Sequence, residues 1–398
     1  MRRVAIVVQR CHEALVGGAE SLAWQYATLL ADSCDVEVLT TTASDYVTWA
    51  NDLPEGEETR DGVTIRRFPV ARQRGDYFHA LHHRLLGAFE ADPAAVPSQR
   101  IRWPESLQEE FIQAQGPVSP GLVAHLRRLG DSYDAVLFVT YLYAPTYEGT
   151  QALGHRRWAL VPTLHDEPPA YLGVFARMAR GAPRLLWNAR AEQRLGKKLW
   201  GVERGSIVSM TVATRRFDAA REEQPYLLYS GRVDVSKGCR MLIDSFTSYA
   251  LANPSTMRLL LTGADKLGVR ETEDVRYLGF VEEARKFELM AGALAFVHPS
   301  PYESLSIVVL EAMAQGAPVI VNGRCEVLAD HVEASGSGWV FHDEGELHAA
   351  IDAVRALTEA ERASIGQRAR DYVLANYDRS AVQERLFAEI DALAATQR

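Results

Sequence analysis

Short runs of apolar, mostly β-branched residues that alternate with helical patterns constrain the fold of this chain more than any other feature. Val4–Val8 is such a run, and a helical pattern over Ser21–Ala31 and a second short run at Val36–Thr40 follow it. A continuous apolar run of this length is typical of a strand that is buried on both faces of a parallel sheet. Strand, glycine-containing loop, helix and strand begin a Rossmann-like unit, so the sequence predicts an α/β fold.

The same alternation returns in the second half of the chain. The sequence predicts a strand at Tyr226–Ser230, a helix at Met241–Ala250 and a further strand at Arg258–Thr262. Between the two halves, residues 206–224 lose strong periodicity, which indicates an interdomain hinge. Two similar α/β halves are expected to form two domains that face a cleft.

The predicted domains are residues 1–210 and residues 222–379. A length of 398 residues exceeds that of one typical domain and agrees with this division. Residues 72–130 are less regular than their surroundings, and we interpret them as an insertion that forms a specificity surface.

Composition and charge restrict the class of protein. The chain is 47% hydrophobic and 24% charged, as in soluble globular proteins, and its net charge of −9 argues against nucleic-acid binding as the main activity. No stretch approaches the roughly 18 consecutive apolar residues of a membrane span. The apolar run near the first residue is too short for a signal peptide. A cytoplasmic location is therefore expected.

Patterns that bind metals are weak in this sequence. Its four cysteines are far apart and form no C-x-x-C pair, so buried thiols in a reducing compartment are expected. A helix predicted at Tyr77–Glu90 carries His79, His82 and His83 without a neighbouring carboxylate. A solvated helix face is therefore favoured over a metal site.

Residues 171–205 contain eight Arg or Lys and two acidic residues, with aromatic and aliphatic residues between them. A basic amphipathic segment can contact an anionic membrane surface, which would place the protein on the inner face of the cytoplasmic membrane. In the alternative interpretation, the apolar residues face the core and the arginines face water. We favour this alternative because the chain uses Arg far more than Lys throughout.

Two loops of the first domain are candidate ligand sites because each follows a predicted strand. Gly17-Gly18 lacks a GxGxxG pattern but would let the backbone approach a ligand closely; the alternative is a plain turn. His165–Glu167 follows a strand predicted at Arg157–Pro162, at the edge where open α/β sheets bind ligands. The alternative there is a solvated loop with a capping Asp.

The stretch Pro299–Gly316, PSPYESLSIVVLEAMAQG, places Glu303 and Glu311 eight positions apart. Ser304 or Ser306 can cap a helix here, so Glu303 would lie at the helix start and Glu311 about two turns inside. A helix N-terminus attracts anions, and a carboxylate beside it would repel them. The presence of Glu303 there is explained if this carboxylate binds hydroxyl groups. Anion and hydroxyls together indicate a sugar nucleotide, whereas the alternative is a surface helix with one exposed Glu.

The loop after the strand Tyr226–Ser230 supplies two cations. Arg232 and Lys237 lie between Gly231 and Gly238, and a planar guanidinium with a compact ammonium suits a diphosphate. Because ligands bind at the carboxyl ends of parallel strands, this loop and the loop with Glu303 are expected to converge. Together they predict a site that holds a diphosphate and a polyol.

Three stretches resemble the carboxyl domain of retaining family-4 glycosyltransferases of the GT-B fold. They are SGRVDVSKG, VRYLGFV and HPSPYESLSIVVLEAMAQGAPVIV, and the two carboxylates match the E-x7-E motif of that family. GGAES and LHDEP match in the amino domain, so the resemblance covers nearly the whole chain. It implies two Rossmann-like domains that face an interdomain cleft, with a final helix, residues 380–398, that returns to the first domain.

The resemblance also implies a role for each matching position. Arg232 and Lys237 would bind the donor diphosphate and support its departure, and Glu303 would contact hydroxyls of the transferred sugar. Glu311 would bind the ribose of the nucleotide. The other implied contacts are the backbone of Ser304, Leu305 and Ser306 with the phosphates, the main chain at Val281 with the base, His165 beside the donor sugar, and Gly18 beside the phosphate or the acceptor.

Two features qualify the resemblance. Ser304-Leu305-Ser306 stands where the family has a glycine-containing turn, which leaves less room at the sugar. The chain has no DxD motif, and in this fold Arg, Lys and a helix terminus stabilise the departing diphosphate without a metal.

The activity that the resemblance implies is that of a retaining, metal-independent glycosyltransferase without a cofactor. It would move a sugar from an NDP-sugar, foremost a UDP- or GDP-sugar, to a glycan, glycolipid or small molecule in bacterial cell-surface polysaccharide assembly. Two alternatives stay open: a sugar-nucleotide epimerase of the same fold, and a non-catalytic nucleotide-sugar-binding or scaffold subunit.

Overall fold

The computed structural model describes residues 1–13, 17–154, 157–254 and 257–395. They form two compact units: Met1–Met210 with the chain from Val382 onward, and Thr211–Ala381. Each unit contains a largely parallel sheet with helices packed against it, which confirms the predicted α/β fold. The segment predicted as a hinge, residues 206–224, spans the junction between the units.

The first unit is built on one eight-stranded sheet. Its strands are β1 (Arg2–Val7), β2 (Cys34–Thr41), β3 (Gly56–Arg60), β4 (Val63–Phe68), β5 (Ala135–Val139), β6 (Trp158–Val161), β7 (Arg184–Trp187) and β8 (Ser206–Ile207). Their order is β3-β4-β2-β1-β5-β6-β7-β8, and β3 pairs antiparallel with β4. Val4 to Val7 are fully buried, as the continuous apolar sequence predicts, and β1 is a central strand paired with β2 and β5.

Eight α-helices of the first unit lie within residues 1–210 of the described chain. They are α1 (Gly18–Leu30), α2 (Asp76–Glu90), α3 (Pro97–Arg100), α4 (Glu105–Gln115), α5 (Pro120–Leu129), α6 (Ala144–Leu153), α7 (Gly173–Gly181) and α8 (Arg190–Trp200). The sequence did not predict α4, because its polar composition obscures the short apolar face on which Phe111 and Ile112 are fully buried.

The basic segment, residues 171–205, folds into α7, β7 and α8 of the first unit. Phe175 and Trp187 are fully buried and Trp200 is nearly so, whereas Lys197 and Lys198 are exposed. The interpretation with apolar residues in the core and cations in water is therefore correct. Among the described residues, the structure contains no helix long and apolar enough to cross a membrane.

The second unit is built on a six-stranded sheet. Its strands are β9 (Tyr226–Ser230), β10 (Arg258–Thr262), β11 (Val275–Tyr277), β12 (Ala295–His298), β13 (Val319–Asn322) and β14 (Gly338–Phe341), all parallel. Its helices are α9 (Cys239–Ala252), α10 (Glu283–Gly292), α11 (Ile307–Ala314), α12 (Glu326–Ser335), α13 (Glu344–Ala356) and α14 (Glu359–Tyr377). The strand order is β11-β10-β9-β12-β13-β14.

The last described helix, α15 (Arg379–Ala395), belongs to the first unit from Val382 onward. Its Glu389 accepts hydrogen bonds from Ser206 Oγ at 2.5 Å and from Arg184 at 3.4 Å. Gln383 donates to the carbonyl oxygen of Leu29 at 2.9 Å. The predicted return of the final helix to the first domain is therefore confirmed.

Candidate functional site

Two loops of the second unit meet where its strand order reverses. β9 lies between β10 and β12, so the chain leaves β9 to one side and later returns on the other, and ligands bind beside such switch points. The loop after β9 and the loop after β12 touch at Gly238, whose φ is 74°. A Cβ on Gly238 would lie 2.5 Å from the carbonyl oxygen of Pro299, so this contact requires glycine.

The side chain of Glu303 lies at this meeting point and forms an ion pair with Lys237. Lys237 Nζ is 2.6 Å from Glu303 Oε1, and His298 Nε2 is 3.1 Å from the same oxygen. Burial raises the pKa of Glu303, but its contacts with His298 and then with Lys237 outweigh burial and lower the pKa to about 2. Glu303 is therefore ionised, and it contacts a cation from the neighbouring loop.

Asp234 stabilises the conformation of the loop after β9, which carries Arg232 and Lys237 and is called the cation loop below. It accepts hydrogen bonds from Ser236 Oγ at 2.6 Å and from the backbone N–H of Lys237 at 3.0 Å, and it pairs with Arg232. The hydrogen bond from Ser236 is the main cause that lowers the pKa of Asp234 to about 2. The Arg232 side chain is 53% exposed, so its guanidinium is accessible to a ligand.

Buried donors fix the backbone of the loop that carries Glu303. Asn322 Nδ2 donates to the carbonyl oxygen of Pro299 at 2.9 Å, and His331 Nε2 lies 2.8 Å from that of Leu305. Leu305 is itself buried. These contacts preorganise the loop before any ligand binds.

Ser306 precedes α11 in a left-handed conformation with a φ of 61°. It occupies the predicted N-cap position, but its hydroxyl accepts no hydrogen bond from the helix, so the predicted side-chain cap is wrong. Ser306 Oγ is buried and has no hydrogen-bond partner among the described residues. Val309 and Leu310 donate their backbone N–H groups to the Ser306 carbonyl oxygen. The N–H groups of Ile307 and Val308 have no acceptor within a helix that begins at Ile307, so these two can receive an anion.

Glu311 lies one turn inside α11, not the predicted two, because the helix begins at Ile307. Its Oε2 is 2.9 Å from Nζ of Lys286, which lies on α10. Burial raises the pKa of Glu311, and Lys286 opposes this effect. The sequence did not predict Lys286 or His298 as site residues. For His298, the sequence offered one indication, a polar residue at the end of an apolar strand.

The remaining predicted site residues are divided between the two units. Val281 follows β11 in the second unit, and Ser304 follows Glu303. In the first unit, Gly18 is the exposed first residue of α1. His165 is exposed in the loop after β6.

A network of hydrogen bonds fixes the loop that contains His165. Glu192 accepts the backbone N–H of Leu164 at 2.7 Å, and burial raises the pKa of Glu192 to about 7. Tyr171 donates to Asp166 at 2.6 Å and Tyr141 donates to Glu167 at 2.7 Å. His165 is thus an exposed residue of a loop that its neighbours fix.

No group of three or more His, Cys, Asp or Glu among the described residues could hold a metal ion. His82, one of the three histidines on α2, instead stacks on Phe78, with ring centroids 5.4 Å apart. Burial lowers the pKa of His82.

Residues 224–359 match the family model described as glycosyl transferases group 1. A stretch of 136 residues is 29% identical to the O-antigen chain mannosyltransferase B of Escherichia coli, covering 32% of this chain and 35% of that protein. The chain thus spans about a third of the length of this curated relative. The predicted resemblance to glycosyltransferases is confirmed for residues 224–359.

Solved structures match over nearly the whole chain. Sucrose-phosphate synthase from Thermosynechococcus elongatus has a TM-score of 0.69 at 17% identity, with 100% of both chains covered. HepE from Anabaena, solved with UDP and glucose, has a TM-score of 0.64 at 16% identity and covers 98% of this chain and 100% of its own. The fold is therefore that of the GT-B glycosyltransferases.

Proposed function

We propose that this chain is a retaining, metal-independent glycosyltransferase that moves a sugar from an NDP-sugar to an acceptor. The proposal rests on one observation: the ionised Glu303 pairs with Lys237 where the strand order of the second unit reverses. A carboxylate beside cations and a helix N-terminus suits a ligand with hydroxyls on one side and phosphates on the other.

The diphosphate of the donor would lie between the cation loop and the start of α11. Arg232 is half-exposed and Lys237 is 28% exposed, so both can turn toward a phosphate. As the bond to the sugar breaks, negative charge grows on the departing diphosphate, and these cations and the first N–H groups of α11 would stabilise it. No metal and no cofactor is required for this step.

The sugar and the ribose would bind to different carboxylates. Glu303 accepts hydrogen bonds from hydroxyls of the transferred sugar, and Glu311 accepts them from the ribose. In this proposal His165 contacts the donor sugar, and Gly18 contacts the phosphate or the acceptor. The backbone of Ser304–Ser306 contacts the phosphates, and the main chain at Val281 contacts the base.

Two similar proteins support the proposed donor and acceptor classes. A mannosyltransferase of O-antigen chains and a protein solved with UDP and glucose support a hexosyl transfer from a UDP- or GDP-sugar. A glycan, glycolipid or small molecule in bacterial polysaccharide assembly is the matching acceptor, and the cytoplasm is the compartment that supplies the donor.

A thermal-shift screen with UDP-, GDP-, ADP- and dTDP-sugars tests this proposal, followed by assays of donor hydrolysis with the best stabiliser. We expect one nucleotide class to raise the melting temperature, and Glu303→Gln to lose turnover while it keeps that shift. Stabilisation by a donor without any turnover or transfer would favour a nucleotide-sugar-binding subunit. No stabilisation by any donor would refute the proposal.

A further inference from the structure

His298, the last residue of β12, holds one oxygen of the Glu303 carboxylate together with Lys237. Its Nε2 is 3.1 Å from Glu303 Oε1, and Lys237 Nζ is 2.6 Å from the same atom. No hydrogen bond from the described residues reaches Glu303 Oε2. The carboxylate is therefore anchored by one oxygen, and its other oxygen is available to a ligand.

The surroundings of the His298 ring select the tautomer that donates to Glu303. The residue is 3% exposed, and its ring lies nearly parallel to those of Tyr229 and Phe296, at 11° and 15°. Nδ1 is buried and has no hydrogen-bond partner among the described residues. A proton on Nδ1 would be buried without an acceptor, which is costly. The ring therefore carries its proton on Nε2 and donates it to Glu303.

We propose that His298 is a positioning residue that keeps Glu303 oriented, so that Oε2 accepts hydrogen bonds from hydroxyls of the transferred sugar. This inference rests on the proposed function. In the proposed function, Lys237 also binds the diphosphate of the donor. The one hydrogen bond of the His298 side chain to the described residues is the one with Glu303. His298 therefore keeps Oε1 in place after Lys237 turns toward the donor. A carboxylate oxygen that is fixed before the reaction does not have to reorient when charge develops on the sugar.

A purely structural role for His298 makes a different prediction. Phenylalanine keeps a flat ring beside Tyr229 and Phe296 and has no buried polar atom. If His298 only filled space, His298→Phe would leave transfer unchanged. Gln, in contrast, has an amide N–H that can replace the donor at Nε2.

The test compares His298→Phe and His298→Gln with the wild type, with His348→Phe as a matched control. His348 lies in the same unit, and its Nε2 is 2.9 Å from the carbonyl oxygen of Ser245, away from Glu303. For His298→Phe we expect kcat to fall about 10- to 100-fold, with unchanged affinity for the nucleoside diphosphate. His298→Gln should recover most of the loss, and His348→Phe should keep the wild-type kcat.

Two results would overturn the positioning role: wild-type kcat in His298→Phe, or equal losses of kcat and nucleotide affinity in both His298 variants. Long-range ¹H–¹⁵N spectra of the histidine rings provide a readout without turnover. They should show the His298 proton on Nε2 in the wild type, and a proton on Nδ1 would also overturn the inference. A wild type with the Nε2 proton but no turnover of any donor would refute the proposed function instead.

Discussion

The carboxylate of Glu303 is ionised although its side chain is only 15% exposed. Burial alone would favour the neutral acid, and His298 and Lys237 reverse that preference. An ionised group at this position is an acceptor only, so it can receive hydrogen bonds from several hydroxyls at once.

This ionisation predicts a pH dependence of stability. The pKa of Glu303 is about 2 in the folded chain against an ordinary value of 4.5, so its contribution is complete above pH 4.5 and is lost as pH falls through about 2. Below pH 4.5, the free energy of unfolding should therefore fall more steeply in the wild type than in Glu303→Gln, as measured by chemical denaturation. Glu273→Gln removes an exposed carboxylate of the same unit and should follow the wild type. Parallel curves for the wild type and Glu303→Gln would contradict the assignment.

Sequence reasoning selected Glu303, Arg232 and Lys237 but not the atoms that they contact. Residue type and strand-end position suffice to predict which side chains share an edge of a parallel sheet. The contact of His298 with Glu303 depends on how the chain turns between them, and the contact of Lys286 with Glu311 depends on how two helices pack. Neither contact can be predicted from a short sequence pattern. The roles in catalysis and binding stay predictions.

At the scale of elements, the site depends on the close approach of two loops. Gly238 and Gly268 both have left-handed backbones, with φ of 74° and 66°. A Cβ on Gly238 would clash with the Pro299 carbonyl, whereas one on Gly268 would meet nothing within 4 Å. A substitution at Gly268 would therefore add backbone strain alone, whereas one at Gly238 would add both strain and a steric clash.

Replacing each glycine by alanine tests this contact. Gly268→Ala should cost about 1 kcal/mol for the left-handed backbone alone. Gly238→Ala should cost about 2–4 kcal/mol in total, because crowding adds to the strain, and it should weaken nucleotide binding as the loops separate. Chemical denaturation and calorimetry measure these effects. Equal losses in both variants, with equal nucleotide affinity, would show that the loop contact has no special role.

Most elements could be predicted where burial imposes a pattern. The strands Tyr226–Ser230 and Arg258–Thr262 are found with the predicted bounds, because both are continuous apolar runs in the middle of a sheet. The edge strand β3 was not predicted, because four of its five residues are exposed and polar or glycine, without an apolar pattern. Neither α12 nor β14 was predicted, and the side chains of β14 are mostly only half-buried.

At the scale of the whole molecule, the first unit includes the end of the described chain. Four apolar residues of α15 are buried there: Val382, Leu386, Ile390 and Leu393. The sequence indicated this return only through its resemblance to a family, since a terminal amphipathic helix does not specify which domain it joins.

A chain that ends at Ala381 tests this assignment. The loss of four buried apolar side chains should cost the first unit about 5 kcal/mol or more, comparable to the stability of a domain. Six of the seven tryptophans lie in the first unit and Trp339 lies in the second, so tryptophan fluorescence reports mainly on the first. We expect a low-temperature fluorescence transition with retained nucleotide binding. Loss of nucleotide binding with an intact first unit would contradict the division.

The most direct test of the central claim is calorimetric titration of the protein with UDP, GDP, ADP and dTDP. We predict that the wild type binds at least one of them and that Lys237→Met binds it about 10- to 100-fold more weakly, because a charge-assisted contact with the diphosphate is lost. Arg276→Met removes an exposed cation of the same unit and should bind as the wild type does. Wild-type affinity in Lys237→Met, or no binding of any nucleotide, would contradict a donor site at Glu303 and Lys237.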